Sequence, residues 1–335
     1  MNKTTEAHCD VQFKHVLAFE VAKAELVTKV LPSGRQIRIP NTSEAVRNLI
    51  KQEQKANARL DLGPLLVICE ATGSYDRHIL VAAAALGVAC HRAHGSRMRA
   101  YARYRGRRAK TDPIDVGLIA EFGRDTPGLA QWQKPSAAQE ELKALVSRRS
   151  ELNQALGAER TRLQQTTNKA IIASLRRQIR SLAKEIETIE AALERLVAET
   201  EKFDVDVRLM RSVIGLGFIS AVSVLAYLPE IGRVGRGTIA AIAGTAPYDN
   251  ASGARDGTRH IAGGRKDIRN VLFMAGVAAM RFNPHLSDLA ARINAKGRPP
   301  KVAITAVMRK LLVILNAVVR DGRPCMMPSA ARPAA

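Results

Sequence analysis

Residues 65–75, LLVICEATGSY, run from a short apolar strand through one carboxylate, Glu70, into a glycine-bearing turn. Leu65–Glu70 is the kind of segment that fills a buried central strand. Gly73–Leu86 after it reads as a helix and Val88–Arg92 as another strand. Before it, His15–Val21 and Glu25–Leu31 read as strands, and Arg35–Pro40 as a third after the Pro32-Ser33-Gly34 turn. Thr42 or Ser43 is placed to cap a helix reaching about Gln54. Three strands, a helix, then strand–helix–strand predict a mixed sheet with helices against it.

Beyond the sheet the pattern changes. Residues 96–110, SRMRAYARYRGRRAK, hold seven basic residues, two tyrosines and no acid. A helix is expected over Pro113–Arg124, and Pro127, Gly128 and Pro135 mark a boundary. From 137 to 201 there is no proline and one glycine, Gly157. Ile172, Leu175, Ile179, Leu182, Ile186, Ile189, Leu193 and Leu196 recur at alternating steps of three and four, a coiled-coil seam. Leu142, Leu145, Leu152, Leu156 and Leu163 give a looser seam with Arg149 and Glu159 as exceptions, out of phase across Thr166–Lys169. A helical hairpin within one chain and a coil that joins two chains both satisfy this pattern. Residues 205–335 form a further region, mostly helical, with a Gly215-Leu216-Gly217 turn that resembles a helix-hairpin-helix and reads equally as a helix cap.

Composition narrows the class. Lys and Arg number 52 against 31 acids, a net charge of +21, and the pI is near 10.4. Such an excess implies a polyanionic partner, with nucleic acid foremost. No run reaches the roughly 18 apolar residues of a membrane span, and the polar N-terminus lacks the apolar centre of a signal peptide. A cytoplasmic protein that does not bind membrane is expected. Cys9, Cys69, Cys90 and Cys325 form no CxxC pair, so free thiols are expected.

Four acids and a serine carry candidate chemistry. Glu20 ends the first strand, Glu70 the central one, and Asp112 and Asp115 lie three apart in AKTDPIDVGLIAEF, neighbours on one helix face. Carboxylates at buried strand ends are costly unless paired or metal-bound; converging, they would suit Mg²⁺, which prefers oxygen ligands. Taken singly, Asp112 reads as a helix cap and Glu20 as a surface residue. Ser252 lies in NASGARDG beside Arg255 and Arg259. Those arginines are suited to hold a scissile phosphate, although a Ser-Gly pair in a loop is ordinarily a turn. Nucleic-acid contacts are expected from Arg97, Arg99, Tyr101, Arg103, Tyr104, Arg105, Arg107, Arg108 and Lys110, since bases stack on aromatics. Arg265, Lys266 and Arg269 near a helix start are expected on phosphate.

Together, CEATGSY, AKTDPIDVGLIAEF, VIGLGFISAVSVLAYLPEIGR, IAAIAGTAPYDNASG and HIAGGRKDIRNVLFMAG resemble the DEDD insertion-sequence transposases conventionally numbered one-ten, with the Piv-type DNA invertases. The resemblance runs from about His15 to Pro324. It implies an RNase H-like (RuvC-like) domain over 1–130, coiled-coil oligomerisation helices over 131–204 and a C-terminal transposase domain over 205–335. It also implies Mg²⁺ on Glu20, Glu70, Asp112 and Asp115, Ser252 as the nucleophile on DNA, and a composite site between protomers of a dimer or tetramer. Donor and target DNA would be partners, with a structured non-coding guide RNA. The family's first acid is an aspartate in a GID-like strand end; here the strand reads AFE, and the extra methylene displaces the carboxylate by roughly 1.5 Å. The alternatives are a RuvC-like nuclease or resolvase that hydrolyses DNA with the acids alone, and a weakened relative that only binds nucleic acid.

Overall fold

The structure is a computed structural model that describes residues 12–107, 116–248 and 260–325. The chain divides between Pro135 and Ser136 into two compact units.

The N-terminal unit follows the expected alternation. β1 (His15–Val21), β2 (Glu25–Leu31) and β3 (Gln36–Pro40) lead into α1 (Ser43–Leu60). β4 (Leu65–Glu70), α2 (Arg77–Ala85), β5 (Ala89–Ala93), α3 (Gly95–Tyr104) and α4 (Val116–Asp125) complete it. The sheet order is β3-β2-β1-β4-β5. β2 is antiparallel to β1 and β3, while β4 is parallel to β1 and β5 to β4. β1 and β4 are therefore central and covered on both faces, which is why they read as continuous apolar runs. Strand alternation sorts their side chains. Leu17, Phe19, Val67 and Cys69 pack with Val46, Ile50 and Ile79 of α1 and α2. Val16, Ala18, Leu66 and Ile68 pack with Met98 of α3 and Val116, Ile119 and Phe122 of α4.

Local chemistry sets the helix bounds. The Thr42 hydroxyl caps α1 by accepting from Ala45 N at 3.3 Å. The helix outruns the expected Gln54 because residues 55–60 hold no breaker, and it stops at Asp61 in the left-handed region. Within it, buried Glu53 pairs with His15 and Arg35, and Asn57 bonds His15 and the Gly63 carbonyl, which ties α1 to the start of β1. α2 begins at Arg77, later than the sequence pattern implied, because residues 71–76 are spent on a turn. Burial pushes the Cys90 thiol up to about 12 and holds that of Cys69 well above the usual thiol range, so both are protonated core residues.

In the C-terminal unit, α5 (Ala137–Gln165) and α6 (Lys169–Glu199) pack on each other as a hairpin within the chain. The reversal falls at residues 166–168, and Asn168 caps α6 by accepting from Ala170 N and Ile171 N. Leu152 and Leu156 meet Ile186 across it. The polar exceptions in the seam are accounted for: Arg149 bridges to Glu190 at 2.6 Å, and Glu159 pairs with Arg162 one turn on. α7 (Glu201–Arg211), α8 (Phe218–Tyr227), α9 (Arg236–Ile242), β6 (Pro247–Tyr248), β7 (His260–Ile261), α10 (Lys266–Phe282), α11 (Pro284–Asn294) and α12 (Pro300–Asp321) follow. Their core is shared with Leu142, Val146, Leu193 and Leu196 at the base of the hairpin. Gly215, with φ +96°, sits where a Cβ would come within 2.7 Å of the Ala279 backbone, so its turn is fitted against α10.

Among the described residues, α12 is the one helix long and apolar enough by composition to cross a membrane. Its apolar face, with Val307, Leu311, Leu312 and Leu315, lies in the unit's core. Buried Asn316 accepts from Gly232 N at 2.8 Å and donates to the Val234 carbonyl at 2.9 Å, which pins α12 to the loop before α9.

α4 lies so close over the central strands that a Cβ on Gly123 would meet Val16, Leu66 and Ile68 at 3.1–3.3 Å. Gly123→Val is therefore expected to destabilise the unit by about 1–3 kcal/mol, the usual cost of overpacking, read as a lower denaturation midpoint. An unchanged midpoint would contradict this packing.

Candidate functional site

The register of β1 against β4 builds the site. Phe19 pairs with Cys69, so the next residues, Glu20 and Glu70, stand side by side on strands about 4.8 Å apart. Alternation directs both to the α4 face, with Val16, Ala18, Leu66 and Ile68. Both are half-buried.

Three features surround Glu70. It meets the first residue of α3, where a Cβ on Gly95 would lie 2.6 Å from Glu70 Oε1; only glycine admits the carboxylate so close to this helix start. Burial raises its pKa, and the Arg99 guanidinium offsets part of that rise. The turn that follows is clasped by Asp76, which is buried and accepts from Arg92 Nε at 2.5 Å and Thr72 N at 3.4 Å. Arg92 also donates to the Gly73 carbonyl at 2.9 Å. Asp76, Arg92 and Gly95 were not singled out from the sequence. The legible signal was an acid six residues after Glu70 at a helix start; its partner on β5 was not legible.

Asp112, Asp115, Arg108 and Lys110 lie outside the described residues, as do Ser252, Arg255 and Arg259. Asp115 immediately precedes Val116, which is buried in the cluster that carries Val16 and Leu66. The segment with Ser252 joins β6 to β7, whose Tyr248 and His260 pair. Gly244 and Gly264 are in direct backbone contact behind that ribbon, with no room for side chains. Among the described residues no three His, Cys, Asp or Glu side chains come together; the described part of the expected tetrad is the Glu20–Glu70 pair.

The basic stretch divides once folded. Tyr101 donates to Asp125 at 2.6 Å and meets Phe122 edge-on, so it is spent on α4; burial and the Asp125 hydrogen bond push its phenol pKa up. Arg97 lies over the Phe122 ring, and Arg105 and Arg107 pair with Glu121. Arg103 donates to the Arg99 carbonyl. Tyr104, 83% exposed, is the tyrosine open to a stacking base. In the other unit, Arg265 is held by both oxygens of Glu230 at 2.8 and 2.5 Å, and Arg269 donates to the Gly263 carbonyl. Lys266 is exposed.

Comparison with known proteins agrees with this architecture. A sequence model of DEDD-type transposases matches residues 21–172, and one described as "Transposase IS116/IS110/IS902 family" matches residues 207–291. The pilin gene-inverting proteins of Moraxella lacunata and Moraxella bovis are each 30% identical over 232 residues, 68% of this chain and 71% of each relative. The chain is thus of the transposase and DNA-invertase class, a DNA recombination enzyme. It belongs to the IS116/IS110/IS902 family of transposases. The first match begins one residue after Glu20; Glu70, Asp112 and Asp115 fall inside it, and Ser252 falls inside the second.

A carboxyl whose pKa rises on folding costs stability once pH climbs through the raised value. Glu70→Gln is expected to melt above the wild type at pH 8 with metal chelated, and the gap should close as pH falls below the carboxylate range. A variant that melts lower at pH 8 would show that the ionised group is stabilising instead.

Proposed function

We propose that the chain is a metal-dependent transposase in which Ser252 is the nucleophile and Glu20, Glu70, Asp112 and Asp115 hold divalent cations, Mg²⁺ first among them. The observation that carries this reading is the Glu20–Glu70 pair at neighbouring ends of parallel central strands, in a chain of this family. The β3-β2-β1-β4-β5 order with only β2 reversed supports an RNase H-like, RuvC-type unit. The donor set fits: oxygen ligands only, one of them already desolvated in the protein, which a cation would relieve. When bound, the cation supplies charge stabilisation at the phosphate oxygens.

The protein's own groups do the rest. Ser252 Oγ, its proton lost to solvent, forms an ester with the scissile phosphorus as the bond to one strand end breaks and that end takes up a proton. Attack by another strand end reverses the exchange and frees the serine, so no high-energy cofactor is consumed. Arg255 and Arg259 neutralise the phosphate. The division into 1–130, 131–204 and 205–335 gives each task a segment: metal, assembly and nucleophile. Assembly as a dimer or tetramer through α5 and α6 is supported by Ile172, Ile179, Leu182 and Ile189, which the hairpin leaves half-buried. A structured guide RNA alongside donor and target DNA is supported by the +21 charge.

Ser252→Ala should abolish both cleavage and the covalent protein–DNA product, by about a thousandfold or more, and Glu70→Ala should abolish cleavage alike. Denaturing gels of labelled element ends read both. Cleavage that persists in Ser252→Ala without a covalent product would mean hydrolysis by the acids alone.

A further inference from the structure

We propose that the turn between α11 and α12, with the adjoining side of α12, is a second nucleic-acid surface that binds the phosphate backbone of duplex DNA. The site is formed by Arg292, Lys296, Arg298, Lys301 and Arg309. It rests on the reading of this chain as a DNA-handling enzyme and adds a contact remote in sequence from both the carboxylates and the serine segment.

Charge is the first argument. Between Asp288 and Asp321 the chain carries seven cations and no acid. All five named residues are exposed, and none has an acidic partner among the described residues; Arg292 donates to the backbone carbonyl of Asp288. In the other conspicuous basic segments part of the charge is already used. Arg105, Arg107 and Arg265 are already neutralised by Glu121 and Glu230, and a cation paired with an internal carboxylate gains less from a phosphate than a free one.

Rigidity is the second. α11 ends at Asn294, Gly297 takes the left-handed conformation, and Pro299 and Pro300 set the entry to α12. The turn is anchored on both sides, since Leu286 and Ala290 of α11 and Ala303 and Val307 of α12 are in the core. The cations therefore stand on a fixed frame and lose little backbone entropy on binding. Lys301 and Arg309 share one side of α12 through Thr305, about 12 Å apart along its axis. That span exceeds a single small anion and suits successive phosphates.

Composition decides for duplex over single strand. Residues 289–310 hold no aromatic side chain, so the surface offers no platform on which unpaired bases would stack. Backbone contact without base contact gives affinity that falls with salt and is indifferent to sequence.

The test uses the full-length protein and a duplex of about 30 base pairs of arbitrary sequence, with anisotropy followed across a salt series. The triple variant Lys296→Gln, Arg298→Gln, Lys301→Gln is expected to lower the slope of log K against log salt by about two to three, since each phosphate contact contributes about 0.9. The loss should be equal on an unrelated duplex. Lys296→Arg with Lys301→Arg should restore the wild-type slope, and an unchanged melting temperature certifies the fold. A triple variant with the wild-type slope overturns the site while leaving the proposed function intact. A loss confined to a structured RNA hairpin overturns the assignment to duplex DNA. A wild-type protein that binds no nucleic acid overturns both readings.

Discussion

Two strands buried on both faces, parallel and in register, are the constraint on which the candidate site depends. β1 and β4 can satisfy their backbone groups only in each other and their outer neighbours, and their apolar side chains fill both layers of the unit. Each run reaches a glutamate at its C-terminal end, Glu70 as the last residue of β4 and Glu20 as the last but one of β1. Because the pairing is parallel, the two ends lie at one edge of the sheet; because Phe19 faces Cys69, they fall on one side of it. A register shift of one residue would send one carboxylate into the opposite layer. The surroundings tune what results: Gly95 admits Glu70 to the start of α3, Arg99 moderates its charge, and the Asp76–Arg92 clasp fixes the turn that leaves it.

The second unit solves a different problem. A long hairpin projects from a helical core that its own base helps to fill. Its polar seam residues are matched: Arg149 with Glu190 across the pair, Glu159 with Arg162 along one helix. The β6–β7 ribbon closes the segment that carries Ser252, backed by glycine contacts too close for any side chain. Gly244 of AGTAP and Gly264 of HIAGG are thus required by packing, whatever the chemistry of the segment between them.

What was legible in the sequence follows physical range. Leu65–Glu70, the first two strands, the cap at Thr42 and the break near residue 166 depend on neighbours within a turn, and the structure has them. α11 was not legible although Asn283 and Pro284 form an N-cap and first-turn pair, because Leu286 and Ala290 are its only fully buried side chains and show too little of a helical period. α3 hid within a charge run: Met98 is its one fully buried side chain, so the helical period was barely visible. The β6–β7 pairing, the Asp76–Arg92 clasp and the use of Glu121 against Arg105 and Arg107 join residues 12 to 16 positions apart that no local pattern links. Sequence listed the basic residues correctly as basic but could not say which were already spent inside the fold.

The central claim is that Glu20 and Glu70 share a cation. Crystals soaked in Mn²⁺ as a Mg²⁺ surrogate would test it through anomalous scattering. The account predicts a peak about 2.0–2.2 Å from one oxygen of each carboxylate, lost in Glu20→Ala. A peak bound by one glutamate alone, or none at saturating Mn²⁺, would contradict it.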